Sequence, residues 1–345
     1  MAARAGVSVS TASLTYSGSG PVSGATRERV LAAAAELGYA GPDPRARSLR
    51  QGRSDTIGVV VESTVLNAFR DPVHIAFLDG IGQPLAGTGR ALLLIPEVGS
   101  RRSVIETAAV DALVLVGCGM NAAAAVDLAQ RRGVPVVSIG GACFPGVVAI
   151  TLDDQAASEQ LARHLAELGH RRVSVVTLPL EQDRARGRLT PAREATGVLP
   201  TTLERLAGAR QVFPDLSGMV AAASLVEEGW LAARAMLLAD HETLLPADRR
   251  PTAIIAQSDL LAVGVIRAAE ELGLRVPEDL SVVGFDGVRT DTLTPHDLTT
   301  MVQPAAEQGR AAGQAAIELS EGSSPVGSAF TSVFHRGATT AAPGD

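Results

Sequence analysis

Residues 251–288 read PTAIIAQSDLLAVGVIRAAEELGLRVPEDLSVVGFDGV. The runs TAIIAQ (252–257) and LSVVGF (280–285) are apolar at nearly every position, the pattern of strands buried on both faces. Between them, 258–272 carries apolar residues at spacings of three and four and stops at Gly273, the pattern of an amphipathic helix with a glycine C-terminus. Strand, helix, strand in so short a span predicts a parallel pair joined by a crossover helix.

Working outward, the same alternation fills the chain from Ile57 onward. Strand-like runs recur at 57–61, 91–95, 110–116, 134–139, 147–152 and 172–178, and 158–168 reads as a helix closed by Gly169. The body is therefore expected to be α/β, with doubly wound parallel sheets, and nearly 290 residues are expected to divide into two lobes. Residues 1–41 differ in kind. Ser23 caps a helix whose apolar stripe is Val30, Ala33, Ala34 and Leu37, ended by Gly38, and a shorter Ser/Thr-rich helix at 8–16 follows a turn at Gly6. Two helices joined this way suit a helix-turn-helix.

Charge divides the chain at the same place. All 30 cationic side chains are arginines, against 37 acids, for a net charge of −7. Residues 1–56 hold seven arginines against four acids, net +3, and the remainder holds 23 against 33, net −10. Four of the seven, Arg45, Arg47, Arg50 and Arg53, lie in GPDPRARSLRQGRSD (41–55), which reads either as a short helix ordered beside an anion or as a solvated basic linker.

Several classes are disfavoured. No apolar run approaches the about 20 residues of a membrane helix, and MAARAGVSVS lacks the apolar core of a secretory signal, so the expectation is a cytoplasmic protein. Cys118 and Cys143 are too few for a disulfide framework, and the six histidines show no metal-ligand spacing, so neither a metal nor a cofactor is expected. No nucleophile elbow, Walker loop or HExxH pair occurs, and GCGMNA (117–122) lacks the third glycine and the following acid of a dinucleotide fingerprint. An enzyme is accordingly not expected.

Taken together, AGVSVSTASL (5–14), VSGATRERVLAAAAELGY (22–39), ARSLRQGRSDTIGVVV (46–61), HLAELGHRRVSVV (164–176), 251–288 and LTTMVQP (298–304) resemble, in order, the segments of the LacI/GalR family of bacterial transcription repressors. The resemblance implies a helix-turn-helix head at 1–41 and a hinge helix with linker at 42–55. It also implies a periplasmic-binding-protein-like body at 56–340, with a first lobe of about 56–151 and 298–325 and a second of about 152–297 and 326–340. It implies a homodimer on a double-stranded palindromic operator, released or retained through a small sugar-like effector bound between the lobes. The family's first helix begins before the position matching Met1, so the head reads as clipped there.

Carried over position by position, Val9, Ser10 and Leu14 face base edges, while Thr11, Ser13 and Thr26 contact the DNA backbone. Leu14 stands where the family usually has arginine and offers only apolar contact, for instance to a thymine methyl. Thr11 equally suits local backbone capping. Leu49, with Arg47 beside it, matches the hinge leucine wedged into the minor groove; packing on the body is the other role open to it. The resemblance assigns Phe69, Arg205, Ser258, Asp259 and Asp286 to the effector. Arg205 otherwise reads as a surface ion pair, Asp259 as the cap of a helix beginning at Leu260, and Asp286 as a turn cap. The rival class is a sugar-binding protein without DNA-binding function, which would not need residues 1–53.

Overall fold

The structure, a computed structural model, describes residues 1–17, 20–39, 52–61, 68–96, 103–117, 122–141, 143–181, 183–240 and 242–344. Arg47 and Leu49 lie outside the described residues. The chain divides into two compact units, 1–55 and 56–345.

In the first unit, α1 (Ala2–Ala5) ends at Gly6 in the left-handed region, φ 65°, which turns the chain into α2 (Val9–Ser17). Ser8 Oγ accepts from Thr11 N at 3.0 Å, and Ser23 caps α3 (Gly24–Glu36) by accepting from Thr26 N at 3.3 Å. Ala5, Ala12, Val30 and Ala33 form the core, with Val7 and Tyr16 packed against it. Leu37, expected in the buried stripe, falls past the end of α3 and is exposed.

The second unit contains two parallel sheets. The first has the strand order β12-β5-β4-β3-β1-β2. Its strands are β1 (Thr56–Val61), β2 (Ala91–Pro96), β3 (Ala112–Val116), β4 (Val136–Ile139), β5 (Val148–Leu152) and β12 (Ser328–Phe330), all paired in parallel. The second runs β10-β9-β6-β8-β7. It comprises β6 (Val173–Thr177), β7 (Gly187–Arg188), β8 (Ser217–Val220), β9 (Ala253–Ala256) and β10 (Ser281–Val283), with only the short edge strand β7 antiparallel. Consecutive apolar residues made β1, β3, β4, β6 and β9 visible in sequence because both sheet faces are covered by helices.

On the first sheet, α4 (Pro72–Leu85) packs on α11 (Ala305–Ser320) so closely that a Cβ at Gly80 would lie 2.1 Å from the Ala306 carbonyl oxygen. α5 (Ala122–Arg131) covers the other face with Ala125, Val126 and Ala129. On the second sheet, α6 (Asp154–Glu167) meets α8 (Pro200–Val212), and a Cβ at Gly208 would lie 2.1 Å from the Gln155 carbonyl oxygen. α9 (Val226–Leu237) and α10 (Asp259–Glu271) make an equally close pair at Gly229 and Gly264. The one-turn α7 (Pro191–Ala195) precedes α8.

The chain crosses between sheets three times, and here strand pairing corrects the expected lobe boundaries. Residues 298–303 belong with the second sheet, since Val283 bridges Thr299 and Asp286 bridges Val302. Residues 328–330, expected in the second lobe, pair with β5 of the first sheet as β12. The chain then returns at once: β11 (Thr300–Val302) pairs with β13 (Val333–His335), and Thr339 donates to the Val282 carbonyl at 2.7 Å. These segments are too short for sequence periodicity to assign, and their neighbours decide their place.

Candidate ligand site between the lobes

A cavity of about 170 Å³ opens where the carboxyl ends of the parallel strands from both sheets face one another. Ligands of open α/β sheets sit at such ends because the loops that follow the strands converge there. The first lobe contributes Asp71, His74, Phe77 and Gln308; the second contributes Asp154, Thr202, Arg205, Ser224, Ser258 and Asp286.

Arg205 organises the second-lobe wall. It lies buried on α8, where its Nε donates to Asp154 Oδ1 at 2.6 Å and its Nη1 to the Gln257 carbonyl at 2.6 Å. Nη1 also reaches Asp286 Oδ1 at 3.4 Å. The guanidinium lies over the Phe285 ring, 3.5 Å from its centroid. A surface ion pair, the alternative open for Arg205, is thus excluded by its burial.

Asp286 follows β10 and takes φ 127°, a backbone region that side-chain-bearing residues rarely adopt. Its amide donates to the Met301 carbonyl and its carbonyl accepts from Gln303 N, so both neighbours on the crossing strand hold it in place. Gln303 Nε2 donates to its Oδ1 at 2.7 Å. Burial pushes its carboxyl well above the usual range, Arg205 pulls it back, and the carboxylates of Asp259 and Asp71 push it further up.

At the helix start Ser258 takes the cap expected of Asp259, and Asp259 is neither the cap nor part of the cavity wall. Ser258 is the cap of α10, accepting from Leu261 N at 3.2 Å, and it also accepts from Ser224 Oγ at 2.9 Å on the cavity wall. Asp259 is the first helical residue and does not line the cavity. Its carboxylate turns inward to accept from Thr300 Oγ1 at 2.6 Å and Val288 N at 2.8 Å, tying the Asp286 turn to the crossing strand. Burial pushes its carboxyl up to about 7, against the pull of these hydrogen bonds.

Phe69 is not part of the wall; it is 58% exposed. The aromatic ring that lines the cavity is Phe77, one helix turn beyond His74 on α4. Asp71 starts that helix by accepting from Val73 N at 2.9 Å. The Asp71–Pro72 pair was a readable signal for this start, since aspartate before proline is a favoured helix entry. The arginine-rich segment after β6 reaches the cavity wall with Arg184, while two of its other arginines are paired elsewhere. Arg193 pairs with Glu181 and donates to the Ala185 and Arg188 carbonyls, and Arg186 reaches Glu228 at 2.6 Å. Among the described residues no cluster of His, Cys, Asp and Glu is arranged to hold a metal ion, and no helix is long and apolar enough to cross a membrane.

Residues 1–41 match the bacterial regulatory proteins of the lacI family, and residues 162–333 match the periplasmic binding protein-like domain. The HTH-type transcriptional regulator IpsA of Corynebacterium glutamicum is 31% identical, over 99% of this chain and 96% of its own length. The chain belongs to the LacI family. It is a DNA-binding, ligand-responsive transcriptional regulator. A LacI-family regulator from Corynebacterium glutamicum has a similar crystal structure, with a TM-score of 0.73 at 26% identity, covering 99% of this chain and 97% of that one. The transcriptional regulator CelR, in complex with cellobiose, matches with a TM-score of 0.65 at 25% identity, covering 98% of each chain.

Against the LacI-family assignment, Arg205, Ser258 and Asp286 are brought together, while Asp259 stands behind the wall and Phe69 away from it. In the head, Val9 is 79% exposed at the start of α2, and Ser10 is exposed beside it. Thr11 and Ser13 are half-buried, and Thr11 Oγ1 is hydrogen-bonded to Ser8 Oγ at 2.8 Å. Leu14 is half-buried against Gly20, and Thr26 Oγ1 accepts from Ser23 Oγ at 2.9 Å in the first turn of α3.

Proposed function

We propose that the protein is a cytoplasmic repressor that binds a palindromic operator as a homodimer and carries out no catalysis. Its effector is a compact, polar, sugar-like molecule held in the cleft. The observation that carries this reading is the meeting of Arg205, Asp286 and Ser258, from three different elements, at the strand ends of the second sheet. A planar guanidinium donates to hydroxyl oxygens while a carboxylate accepts from hydroxyl hydrogens, which suits vicinal diols. The cellobiose held by CelR supports a saccharide of some kind. The working division is a head at 1–41, a hinge at 42–55 and a body at 56–340.

On DNA, Val9, Ser10 and Leu14 read base edges, Thr11, Ser13 and Thr26 set the register on phosphates, and Arg47 with Leu49 enters the minor groove. Effector and operator compete through the preference of each for one lobe arrangement, so coupling equals the effector's differential affinity for the two. A gel-shift titration on full-length protein at graded salt tests this. Selective binding should weaken steeply with salt and drop at least about tenfold in Leu49→Ala, the loss of one wedge residue. Failure to prefer any palindromic sequence over random duplex would sink the reading.

A further inference from the structure

The first-lobe wall carries a polar group that the fold itself does not use. Gln308, in the first turn of α11, is 1% exposed and lines the cavity, yet its Oε1 has no hydrogen-bond partner among the described residues. Buried amides are almost always paired, because leaving one unpaired costs free energy that an apolar side chain of similar size avoids. A Cβ at neighbouring Gly309 would lie 2.3 Å from the Phe77 carbonyl oxygen, so α4 and α11 pack nearly backbone to backbone at this level. On the same wall, the buried Nδ1 of His74 also lacks a hydrogen bond, with Asp71 Oδ2 3.9 Å away. Across the cleft the opposite holds: Arg205, Asp286 and Ser258 are all engaged by protein groups.

We propose that Gln308, with His74 on the same wall, is the specificity-determining contact of the first lobe and reads a hydroxyl of a polyol. The inference rests on the cleft being the effector site. An amide offers an acceptor and a donor that exchange places when it flips. A hydroxyl both donates and accepts, so it satisfies whichever end points inward. A carboxylate or phosphate oxygen only accepts, and would hold the amide in the one orientation that points its hydrogens inward. The group is therefore matched to a hydroxyl in either of its orientations.

The test uses full-length protein and a panel of ribose, glucose, galactose and cellobiose with their monodeoxy analogues, screened by thermal shift and titrated by calorimetry. Ligand-free Gln308→Leu should melt no lower than the parent, since it removes an unpaired buried amide. Its affinity for the sugar that the parent prefers should fall about tenfold or more, the loss of one buried hydrogen bond. One monodeoxy analogue that the parent discriminates against should then bind the variant as well as the complete sugar does. Unchanged affinity and discrimination in Gln308→Leu would overturn the proposal, as would a ligand-free melting point several degrees lower or a parent stabilised by no neutral sugar. Arg205→Met separates the two levels. If it abolishes binding while Gln308→Leu does not, the cleft stands and the subsite falls; if neither variant affects binding, the cleft reading falls as well.

Discussion

The Arg205 guanidinium carbon lies over the Phe285 ring, 3.5 Å from its centroid, at the point where α8 meets the end of β10. From that position Nε meets Asp154 and Nη1 meets the Gln257 carbonyl and Asp286. Removing it leaves two buried carboxylates without their shared cation. Arg205→Met is expected to lower stability by about 3–5 kcal/mol, the scale for breaking one side of a buried ion pair. Arg205→Lys should recover little, because a point ammonium cannot keep both the stack and the fork. Urea unfolding checks this; a loss below about 1 kcal/mol in Arg205→Met would show that the network is not a structural keystone.

Asp259 makes the body sensitive to rising pH. Its carboxyl is pushed up to about 7 in the folded state by burial, against about 4 in an unfolded chain. Its contribution is therefore fully present below about pH 4 and is lost as pH rises to about 7, at no more than about 1.4 kcal/mol per pH unit. Asp259→Asn keeps an acceptor for Val288 N and cannot ionise. Its melting temperature minus that of the parent should rise between pH 4 and 7, and parallel curves would refute the assignment.

His170 acts in the opposite sense. Its ring is buried among Thr252 Oγ1 at 2.9 Å, Ser281 Oγ at 3.1 Å and the Ala341 carbonyl at 2.9 Å. Burial lowers its pKa, partly countered by the Ala341 hydrogen bond. A lowered imidazole contributes stability that is present above about pH 6.5 and lost as pH falls below it. His170→Gln should flatten the acid side of the stability profile. It should also speed proteolytic trimming of residues 337–344, because Ala341 loses an anchor. An unchanged trimming rate would place the tail's hold elsewhere, for instance on Thr339.

Gly208 sets the distance between the helices that carry Asp154 and Arg205. A methyl there would sit 2.1 Å from the Gln155 carbonyl oxygen and force α6 and α8 apart. Gly208→Ala is expected to cost roughly 1–3 kcal/mol or more from overpacking, and to weaken effector binding along with stability by displacing the Asp154–Arg205 pair. Calorimetry on the folded variant separates the two effects. Full-strength ligand binding would mean that the pair tolerates the shift.

Much of this architecture was legible because long apolar runs and glycine-terminated helices leave a periodic trace. β8, SGMV, left none: its single glycine lies against the Val175 backbone, where no side chain fits, so its strand character comes from β6 beside it. The second-lobe half of the site was legible through its resemblance to known regulators, and Ser258 differed from Asp259 only in which of two good capping residues took the cap. The first-lobe half was not. His74, Phe77 and Gln308 sit on helices at ordinary amphipathic spacing, and only the close packing of α4 on α11 turns them toward the cavity.

The three crossings between sheets also govern when the molecule can fold during synthesis. The first sheet lacks β12 until residue 330 has been made, and the second lobe lacks its buried Thr339 until nine residues later. Neither lobe can close its core early, since synthesis must reach residue 330 for the one and residue 339 for the other. The buried residues of the small head, by contrast, have all been made by Ala34. A nascent chain stalled midway would thus carry an unfinished, apolar body, the species that depends most on chaperone capture.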